Sequence, residues 1–211
     1  MKKDLSSIRK EYLKGSISVS SMPENPIEAL QIWVNQAIES EVEEPTAMNI
    51  ATISPENFPT SRVVLLKEIV SEGLIFFTNY GSTKGQNIES NPNVAVNFFW
   101  PALERQVRIH CIASKIPAED SDAYFYSRPL GSQAGAIVSQ QSAVIDAQEN
   151  LEERIKSLLE SGTSLQRPEN WGGYILKPSY FEFWHGRASR IHDRVAYSLE
   201  EAIWKKKRLS P

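Results

Sequence analysis

Arginine, histidine and aspartate side chains crowd into one short stretch near the end of this 211-residue chain, the stretch WHGRASRIHDR at 184–194. The aromatic run YFEFW leads into it and predicts a strand. If the stretch is extended, side chains alternate in direction, and Arg190, His192 and Arg194 share one face. Cationic groups on one face repel one another unless an anionic ligand or buried carboxylates balance them. We therefore predict an anion-binding site; the alternative is a solvated edge strand with charges on its open face.

Other cationic and hydroxyl side chains stand near the predicted ends of strands and helices. They form four small groups: Arg62 with Lys67, Thr78, Ser82 with Lys84, and Arg128 with Ser132. Arginine binds phosphate as a fork, and lysine binds it as a point charge. Ser82 also marks a capped helix start, where free amide groups bind phosphate, although such starts are common. Together these groups predict two phosphate-bearing ligands.

Several kinds of site have no support in the sequence. One cysteine and three dispersed histidines do not easily make a zinc site. There is no nucleophile elbow, P-loop or dinucleotide-binding glycine motif. The net charge of -3 argues against a general nucleic-acid binder. Without a metal or a nucleophile–base pair, the difficult chemistry must come from a bound organic cofactor.

Size and composition set expectations for organisation and location. The single Cys111 cannot form an intramolecular disulfide, the start MKKDLSSIRK lacks the apolar core of a signal peptide, and no apolar run is long enough to cross a bilayer. We therefore expect the cytoplasm and no membrane partner. The length suits one domain, predicted over residues 23–211. Residues 1–22 are polar and Ser-rich, and we expect them to form a mobile arm.

Hydrophobic periodicity predicts the elements that position these side chains. Asn25, Pro26 and Glu28 mark the start of an amphipathic helix that runs to about Ser40. Strands at 47–53, 60–67 and 74–79 are joined by short turns and predict an antiparallel meander, with the second strand buried on both faces. Further helices are predicted after Ser82 and at 118–127 and 146–160, and further strands at 94–100, 105–116, 172–176, 180–184, 190–197 and 202–208. No element is predicted for the small-residue stretch at 131–136.

Six segments carry a resemblance to a known family. In chain order they are SRVVLLK, FFTNYGSTKGQNIESNP, LERQVRI, YFYSRPLGSQAGAIVSQQS, WGGY and EFWHGRASRIHDR. Each segment is modest by itself, but in this order and at these separations they resemble pyridoxine/pyridoxamine 5'-phosphate oxidase. The similarity runs from Arg9 to Pro211 and so covers essentially the whole chain.

The resemblance implies a fold and an activity. The fold is a mainly β, antiparallel split barrel with peripheral helices, which binds FMN at the interface of a homodimer and builds each active site from both chains. The activity is oxidation of pyridoxamine or pyridoxine 5'-phosphate to pyridoxal 5'-phosphate by hydride transfer to the flavin, with O2 reduced to hydrogen peroxide. Two alternatives stay open: a split-barrel flavoprotein that uses a nicotinamide cofactor, and a non-catalytic protein that binds flavin or pyridoxal phosphate.

The resemblance also implies roles for individual residues. The flavin is expected to contact Arg62, Val63, Val64, Leu65, Leu66, Lys67, Phe77, Thr78, Thr83, Lys84, Gln106, Gln141, Ser142, Trp184 and Arg194. The substrate is expected to contact Arg9, Lys10, Glu11, Tyr12, Lys67, Tyr124, Arg128, Ser132, Arg190, Ile191 and His192, and its phosphate to contact Lys67, Tyr124, Arg128 and Ser132. Arg190 and His192 are the catalytic candidates, which orient the pyridine ring; proton transfer by His192 is the lesser alternative.

Four positions raise questions. Thr83 stands where the family often has arginine, and Lys10 where it often has a second arginine, so we expect a weaker hold on the flavin phosphate at Thr83. Arg62 and Lys67 are an odd number of residues apart, so a regular strand would direct them to opposite faces. A bulge, or a role for the backbone between them, would reconcile their shared role.

Overall fold

A computed structural model describes residues 4–8 and 10–211 of the chain. In this part it has five α-helices and nine β-strands, which confirms the predicted mainly β architecture with peripheral helices. The helices are α1 Pro26–Glu39, α2 Thr83–Ser90, α3 Ala118–Ser127, α4 Leu130–Val138 and α5 Leu151–Glu160. The strands are β1 Ala47–Ile53, β2 Pro59–Leu65, β3 Glu68–Val70, β4 Gly73–Asn79, β5 Asn93–Trp100, β6 Arg105–Lys115, β7 Trp171–His185, β8 Asp193–Glu200 and β9 Ile203–Leu209. None of the described helices has the length and apolar character needed to cross a membrane.

The strands form one sheet in the order β2-β1-β5-β6-β7-β4-β3, with β8 paired to β7 and β9 paired to β8. The predicted meander is correct in placing β1 beside β2, and it is wrong for β4, which pairs antiparallel with β7 and β3 and not with β2. Two glycines of β7 permit this pairing. A Cβ at Gly172 would lie 2.2 Å from the Tyr80 hydroxyl oxygen, and one at Gly173 would lie 2.9 Å from the Phe77 ring. Only glycine lets these aromatic side chains approach the strand so closely.

The chain divides into two compact units. Unit 1 consists of Met1–Asn49, Val96–His110 and Pro178–Pro211, and unit 2 consists of Ile50–Ala95 and Cys111–Lys177. The single domain over residues 23–211 stays a prediction.

The core of unit 1 forms around α1 and the second half of β7. The Asn25 side chain accepts a hydrogen bond from the Ile27 N–H at 2.9 Å, which confirms the predicted helix cap. The apolar stripe of α1 buries Trp33, whose ring meets the ring of Phe183 edge-on at 5.1 Å. Edge-to-face aromatic pairs stabilise a core beyond their buried area. This packing fixes the strand that carries Trp184.

The core of unit 2 forms where β4 meets the first half of β7. Phe76 stacks on Tyr174 with ring centres 5.7 Å apart, and both side chains are buried. The next residue, Phe77, points to the opposite face of the strand, as alternation requires. At the end of β4 the Ser82 side chain accepts from the Gly85 N–H at 3.3 Å, which confirms the predicted cap of α2.

The two strands predicted at 172–176 and 180–184 form the single 15-residue strand β7. Pro178 lies between the residues that pair with β4, Trp171–Leu176, and those that pair with β8, Tyr180–His185. Neither of these ladders therefore uses the N–H that proline lacks. The later strands also begin further along the chain than predicted, at Asp193 and Ile203.

The prediction that Arg190, His192 and Arg194 share one strand face is wrong. Residues Ala188–Arg190 form a 3-10 turn in which Ser189 has a φ of 55°, and β8 begins only at Asp193. The Asp193 carboxylate accepts from Arg187 Nη1 at 3.1 Å, which closes the chain around this turn. The positive φ angles of Ser189 and Arg190 end the extended conformation, so the chain turns here instead of continuing as a strand.

Two helices differ from the prediction. The small-residue stretch forms most of α4, Leu130–Val138, which begins directly after Pro129; proline is favoured where a helix begins. Helix α5 begins at Leu151 rather than at 146, because the Asn150 side chain caps it by accepting from the Glu153 N–H at 3.0 Å.

Candidate functional site

A cavity of about 790 Å³ opens in unit 2, a volume typical of pockets for cofactors and other small ligands. Its lining comes from β2, β4, α2, α3, α4, β7 and the segments that follow several of them. The predicted residues in the lining are Arg62, Val63, Val64, Leu65, Lys67, Phe77, Thr78, Thr83, Lys84, Tyr124, Arg128, Gln141 and Ser142. The structure therefore brings together most of the predicted flavin contacts and three of the predicted phosphate ligands.

The charge of this lining has one sign. Arg62, Lys67, Lys84 and Arg128 line the cavity, and no aspartate or glutamate does so within the described part of the chain. Cations in a confined site without carboxylates repel one another, and an anionic ligand would relieve that repulsion. The cavity is therefore suited to a ligand with one or more phosphate groups.

Lys84 is the most enclosed of these cations. Its Nζ donates to Thr78 Oγ1 at 3.1 Å, Ser82 Oγ at 3.1 Å and Gln141 Oε1 at 3.2 Å, all of which are neutral acceptors. Burial, and then the charge of Arg62, lower the pKa of Lys84 to about 8. A bound anion would favour the charged ammonium again.

The Arg62 guanidinium is held rigidly by neutral groups. Its nitrogens donate to the hydroxyls of Thr52 and Thr60, each at 2.8 Å, and to the carbonyls of Ile50 and Thr60. Asn87 Nδ2 donates to the same Thr52 hydroxyl at 2.9 Å. These bonds fix the side chain without neutralising its charge, and burial lowers its pKa.

The spacing of Arg62 and Lys67 has a simple explanation. Strand β2 ends at Leu65, so Lys67 lies beyond the alternating part of the chain, and both cations line the cavity. The Lys67 N–H donates to the Ile75 carbonyl at 2.9 Å, which ties this segment to β4. The expected burial of both faces of β2 is wrong: Val63 is 65% exposed, and exposed residues alternate along the strand, so one of its faces is open.

Arg128 follows the last residue of α3 and precedes Pro129. Its φ of -77° and ψ of 153° are extended, as expected before proline. The centre of its guanidinium lies 4.7 Å from the ring centre of Trp171. Its Nη1 is buried and has no hydrogen-bond partner among the described residues, and burial lowers its pKa. A buried cationic donor without an acceptor calls for an anionic ligand.

Three aromatic rings stack on one another beside Arg128. The Phe77 and Tyr124 rings stack with centres 3.8 Å apart, and the Tyr124 and Trp171 planes are within 3° of parallel. All three rings line the cavity. Sequence reasoning assigned no site role to Trp171, although its WGGY segment contributed to the resemblance. It likewise missed Asn79, Gly135, Ala136 and Ser139 of the lining.

A second set of predicted site residues lies in unit 1, and we call Tyr12, Trp184 and His192 the aromatic–histidine group. The Tyr12 ring meets Trp184 at 5.6 Å and His192 at 5.7 Å, and the Trp184 and His192 rings are 4.7 Å apart. A Cβ at Gly186 would lie 2.6 Å from the Tyr12 ring. Glycine at this position therefore makes room for Tyr12.

His192 has one ring nitrogen already engaged. The Arg187 backbone N–H donates to His192 Nδ1 at 3.1 Å, so the neutral ring carries its hydrogen on Nε2. Burial, and then the charge of Arg190, lower the pKa of His192. The neutral imidazole is therefore favoured, and it presents an N–H donor.

Arg194 is held by a buried carboxylate. It lies in β8 opposite Trp184, and its Nε donates to Glu182 Oε1 at 2.9 Å. This bond raises the pKa of Arg194. Arg108 Nη2 donates to the other Glu182 oxygen at 2.9 Å. Two guanidinium groups thus share one carboxylate, and the pair keeps a net positive charge.

Buried carboxylates also hold the segment 10–17, which includes Tyr12. Glu104 Oε2 accepts from the N–H groups of Leu13 at 2.7 Å and Lys14 at 2.9 Å, and its Oε1 lies 3.5 Å from Lys10 Nζ. Although burial raises the pKa of Glu104, these donors and the Lys10 charge together place it below its usual value. The ionised carboxylate is therefore the form that holds the segment.

The remaining predicted residues lie elsewhere or on the surface. Leu66 is buried, Gln106 is half-buried, and Glu11, Ser132, Arg190 and Ile191 are exposed and do not line the cavity. Arg9 lies outside the described residues. Across residues 4–8 and 10–211, no group of three or more His, Cys, Asp or Glu side chains is placed to hold a metal ion.

Family models match the chain in two places. One, described as "Pyridoxamine 5'-phosphate oxidase", matches residues 34–160, and another, described as "Pyridoxine 5'-phosphate oxidase C-terminal dimerisation region", matches residues 171–211. A protein from Haemophilus influenzae named pyridoxine/pyridoxamine 5'-phosphate oxidase is 50% identical over 99% of this chain and 100% of the relative. A protein of the same name from Cytophaga hutchinsonii is 48% identical over 100% of both chains.

Solved structures show the same fold. PhzG from Burkholderia lata, in complex with tetrahydrophenazine-1-carboxylic acid, is similar with a TM-score of 0.87 and 29% identity over 93% of this chain and 100% of that one. A pyridoxamine 5'-phosphate oxidase-related, FMN binding protein from Nostoc punctiforme is similar with a TM-score of 0.73 and 15% identity over 90% of this chain and 100% of that one. These similarities confirm the predicted antiparallel split-barrel fold.

Proposed function

The chain belongs to the pyridoxamine 5'-phosphate oxidase family, and from this premise we propose that it binds FMN and oxidises pyridoxamine and pyridoxine 5'-phosphates to pyridoxal 5'-phosphate. The observation that carries the proposal is the cavity of unit 2, which is lined by cations and by no carboxylate of the described residues. Both the cofactor and the substrates in this proposal carry phosphate. When bound, FMN supplies a hydride acceptor that can pass electrons to O2 with formation of hydrogen peroxide.

The residues of the cavity fit FMN. Lys84 stands in the first turn of α2, where the helix dipole and free N–H groups favour an anion. With Arg62 and Thr78 it can bind the flavin phosphate. Thr83 adds only a neutral hydroxyl beside them, where arginine would add a further charge. The exposed backbone and apolar side chains of β2 offer a surface for the flavin ring.

The residues around Arg128 fit the substrate phosphate. Arg128 Nη1 is buried without a partner in the described structure, and Lys67 and Tyr124 line the same cavity. A phosphate here would receive charge-assisted hydrogen bonds. Ser132, exposed on α4, is the least supported of the proposed phosphate ligands.

His192 and Arg190 would orient the pyridine ring. The Nε2–H of a neutral His192 can donate to the phenolic oxygen of the substrate, and an Arg190 cation would favour the ionised form of that oxygen. Holding the reacting carbon at contact distance from its acceptor accounts for a large part of such a rate enhancement. We assign both residues to positioning, with proton transfer by His192 as the lesser alternative.

We further propose a homodimer with active sites built from both chains. Residues 171–211 match a family model that is described as a dimerisation region, and this match supports the homodimer. The proposed site residues also fall into two sets, one in the cavity of unit 2 and one in the aromatic–histidine group of unit 1. Neither set contains all the residues that the reaction requires.

The test is to purify the protein, record its visible spectrum before and after addition of FMN, and measure peroxide from pyridoxamine 5'-phosphate in air. We expect a flavin spectrum and peroxide formation, with the pyridoxine phosphate as a second substrate. A colourless protein that FMN does not reconstitute would refute the proposal. Bound flavin with NADH oxidation but no peroxide from either phosphate would favour the nicotinamide alternative, and bound flavin with neither reaction would favour a carrier.

A further inference from the structure

The Arg128 guanidinium stacks on an aromatic face and has no carboxylate partner. Its central carbon lies 4.7 Å from the Trp171 ring centre and 6.0 Å from the Phe125 ring centre. No salt bridge to Arg128 occurs among the described residues. An indole face attracts a guanidinium electrostatically without using any of its N–H donors. The Arg128 guanidinium is therefore held by the aromatic ring, and its N–H donors remain available to bind an anion.

Arg62, in the same cavity, shows the contrast. Its guanidinium makes four hydrogen bonds to hydroxyl and carbonyl oxygens, so most of its donor capacity is used by the protein. Arg128 Nη1 makes none within the described structure. The two arginines are therefore held in place differently: Arg62 is held by hydrogen bonds, and Arg128 is held by stacking on an aromatic ring.

Trp171 is itself held firmly, so it can set the position of a neighbour. Its side chain is 7% exposed. Its backbone N–H donates to the Pro168 carbonyl at 3.0 Å, and its backbone carbonyl accepts from Arg167 Nη1 at 2.6 Å. Arg167 Nε also donates to Asp122 at 2.6 Å. These bonds fix the Trp171 backbone, and the indole itself stacks on the Phe77 ring with ring centres 5.7 Å apart.

We propose that Trp171 is a positioning residue, which holds the Arg128 fork toward the cavity and thereby sets the preference for phosphorylated over unphosphorylated substrates. This inference rests on the proposed function, because it assigns Arg128 to the substrate phosphate. The stacked face limits rotation of the guanidinium and leaves its edge for two parallel bonds to phosphate oxygens. A preorganised fork loses less conformational freedom when phosphate binds.

The test compares Trp171→Leu, which removes the aromatic face, with Trp171→Phe, which keeps a weaker one. We expect Trp171→Leu to raise the Kd and KM for pyridoxamine 5'-phosphate about 2- to 30-fold, the range that corresponds to measured cation–π energies. The phenylalanine variant should lie between it and the wild type. Kinetic constants for unphosphorylated pyridoxamine should change little, since that substrate has no group for Arg128.

A double-mutant cycle separates positioning from a general structural role. In the Arg128→Ala background, Trp171→Leu should leave the Kd for pyridoxamine 5'-phosphate unchanged, because the group that it positions is gone. Phe76→Leu is a matched control, since Phe76 is fully buried in neighbouring β4 and does not line the cavity. It should lower the melting temperature and leave phosphate recognition unchanged.

Calorimetric titration of pyridoxamine 5'-phosphate supplies a readout that does not need turnover. If Trp171→Leu weakens both substrates equally, or weakens binding as much without Arg128 as with it, the inference is overturned. If the wild type binds pyridoxamine 5'-phosphate and does not oxidise it, the proposed function fails while the binding cycle still decides the role of Trp171.

Discussion

Lys84 is buried among neutral hydrogen-bond acceptors, so the binding of a phosphate beside it depends on whether Lys84 is protonated. Burial lowers its pKa to about 8, whereas the unfolded chain binds the proton up to the ordinary lysine pKa. Between these values the unfolded state carries more protons, so the ligand-free fold gains stability as pH rises through this window. A phosphate bound beside Lys84 raises the pKa of this side chain again, because the negative charge favours the protonated ammonium.

We expect the affinity for FMN to be nearly constant between about pH 7 and 8, where the phosphate monoester is already largely doubly ionised, and to fall as pH rises further, because the free protein then loses the Lys84 proton. The measurement is the FMN dissociation constant from quenching of flavin fluorescence between about pH 7 and 9.5. Lys84→Met should bind FMN more weakly at pH 7 and lose this dependence, while Lys84→Arg keeps its charge throughout. A flat wild-type profile would contradict the assignment of Lys84.

Arg128→Ala should separate substrate binding from stability. Charged hydrogen bonds of about 1.5 to 3 kcal/mol predict a KM for pyridoxamine 5'-phosphate roughly 10- to 150-fold higher. The melting temperature should change little, because the lost stacking on Trp171 and the lost helix-end charge, about 0.3 to 1 kcal/mol, are offset by removal of a buried donor that has no partner in the described structure. Lys156→Ala, on exposed α5, is the control and should change neither quantity. Unchanged substrate affinity would refute the assignment of Arg128.

His192→Asn tests positioning against proton transfer. Because Nδ1 already accepts from the Arg187 N–H, we expect His192 to act as a hydrogen-bond donor. Loss of one such bond to a charged partner predicts flavin reduction slower by roughly 10- to 150-fold, against about 100- to 10,000-fold for loss of a general acid–base. Anaerobic single-turnover reduction by pyridoxamine 5'-phosphate, measured across pH, decides between them. If the substitution also removes a pH transition from the rate, His192 carries a proton.

At the scale of elements, the segment 10–17 depends on a turn between two strands. Glu104, which precedes β6, has its carboxylate buried and accepts two consecutive backbone N–H groups from Leu13 and Lys14. Its own carbonyl accepts from the Gly186 N–H at 2.8 Å. One residue thus ties the segment that carries Tyr12 to the strand end that carries Trp184. Tyr12, on this segment, meets the His192 ring at 5.7 Å.

Glu104→Ala should release the segment and expose the peptide bond after Lys14 to trypsin. Cleavage of a locally opened segment follows its opening equilibrium, so losing bonds of about 1.5 to 3 kcal/mol predicts cleavage faster by roughly 10- to 150-fold. Glu200→Ala, an exposed carboxylate of β8, is the matched control. Mass spectrometry of timed digests identifies the cleaved bond. Equal cleavage in both variants would show that Glu104 does not hold the segment.

Local signals predicted several elements well, because their causes are local. The Asn25 and Ser82 caps and the strand at 47–53 follow from side-chain chemistry and alternation within a few residues. The partner of β4 could not be predicted in this way. It is set by β7, far along the chain, and by the absence of side chains at Gly172 and Gly173.

The cavity lining was predicted only in part, because only some of its residues are recognisable from local sequence. Phosphate-binding side chains are recognisable by type, and the resemblance located most of them along the chain. Trp171 was missed, because an aromatic residue at a strand start is as typical of a core as of a site. The turn at Ala188–Arg190 was also missed, since its positive φ angles fall on Ser189 and Arg190 and not on a glycine or asparagine that would have indicated them.

At the scale of the whole molecule, the proposed dimer makes a prediction about mixed subunits. Arg128→Ala changes the cavity of unit 2, and His192→Asn changes the aromatic–histidine group of unit 1. If each active site takes the cavity from one chain and the aromatic–histidine group from the other, a heterodimer of the two variants has one site with both substitutions and one with neither. If each site lies within one chain, both of its sites are impaired.

The two cases separate when heterodimers are purified through two different affinity tags. With shared sites, the heterodimer of Arg128→Ala and His192→Asn should recover about half the wild-type peroxide-forming activity per dimer, because symmetry gives a dimer two equivalent sites. The reciprocal control pairs a wild-type chain with a doubly substituted chain and has the same substitutions in total. It should stay impaired, since each of its sites carries one defect. Recovery in the control and not in the first heterodimer would place each active site within a single chain.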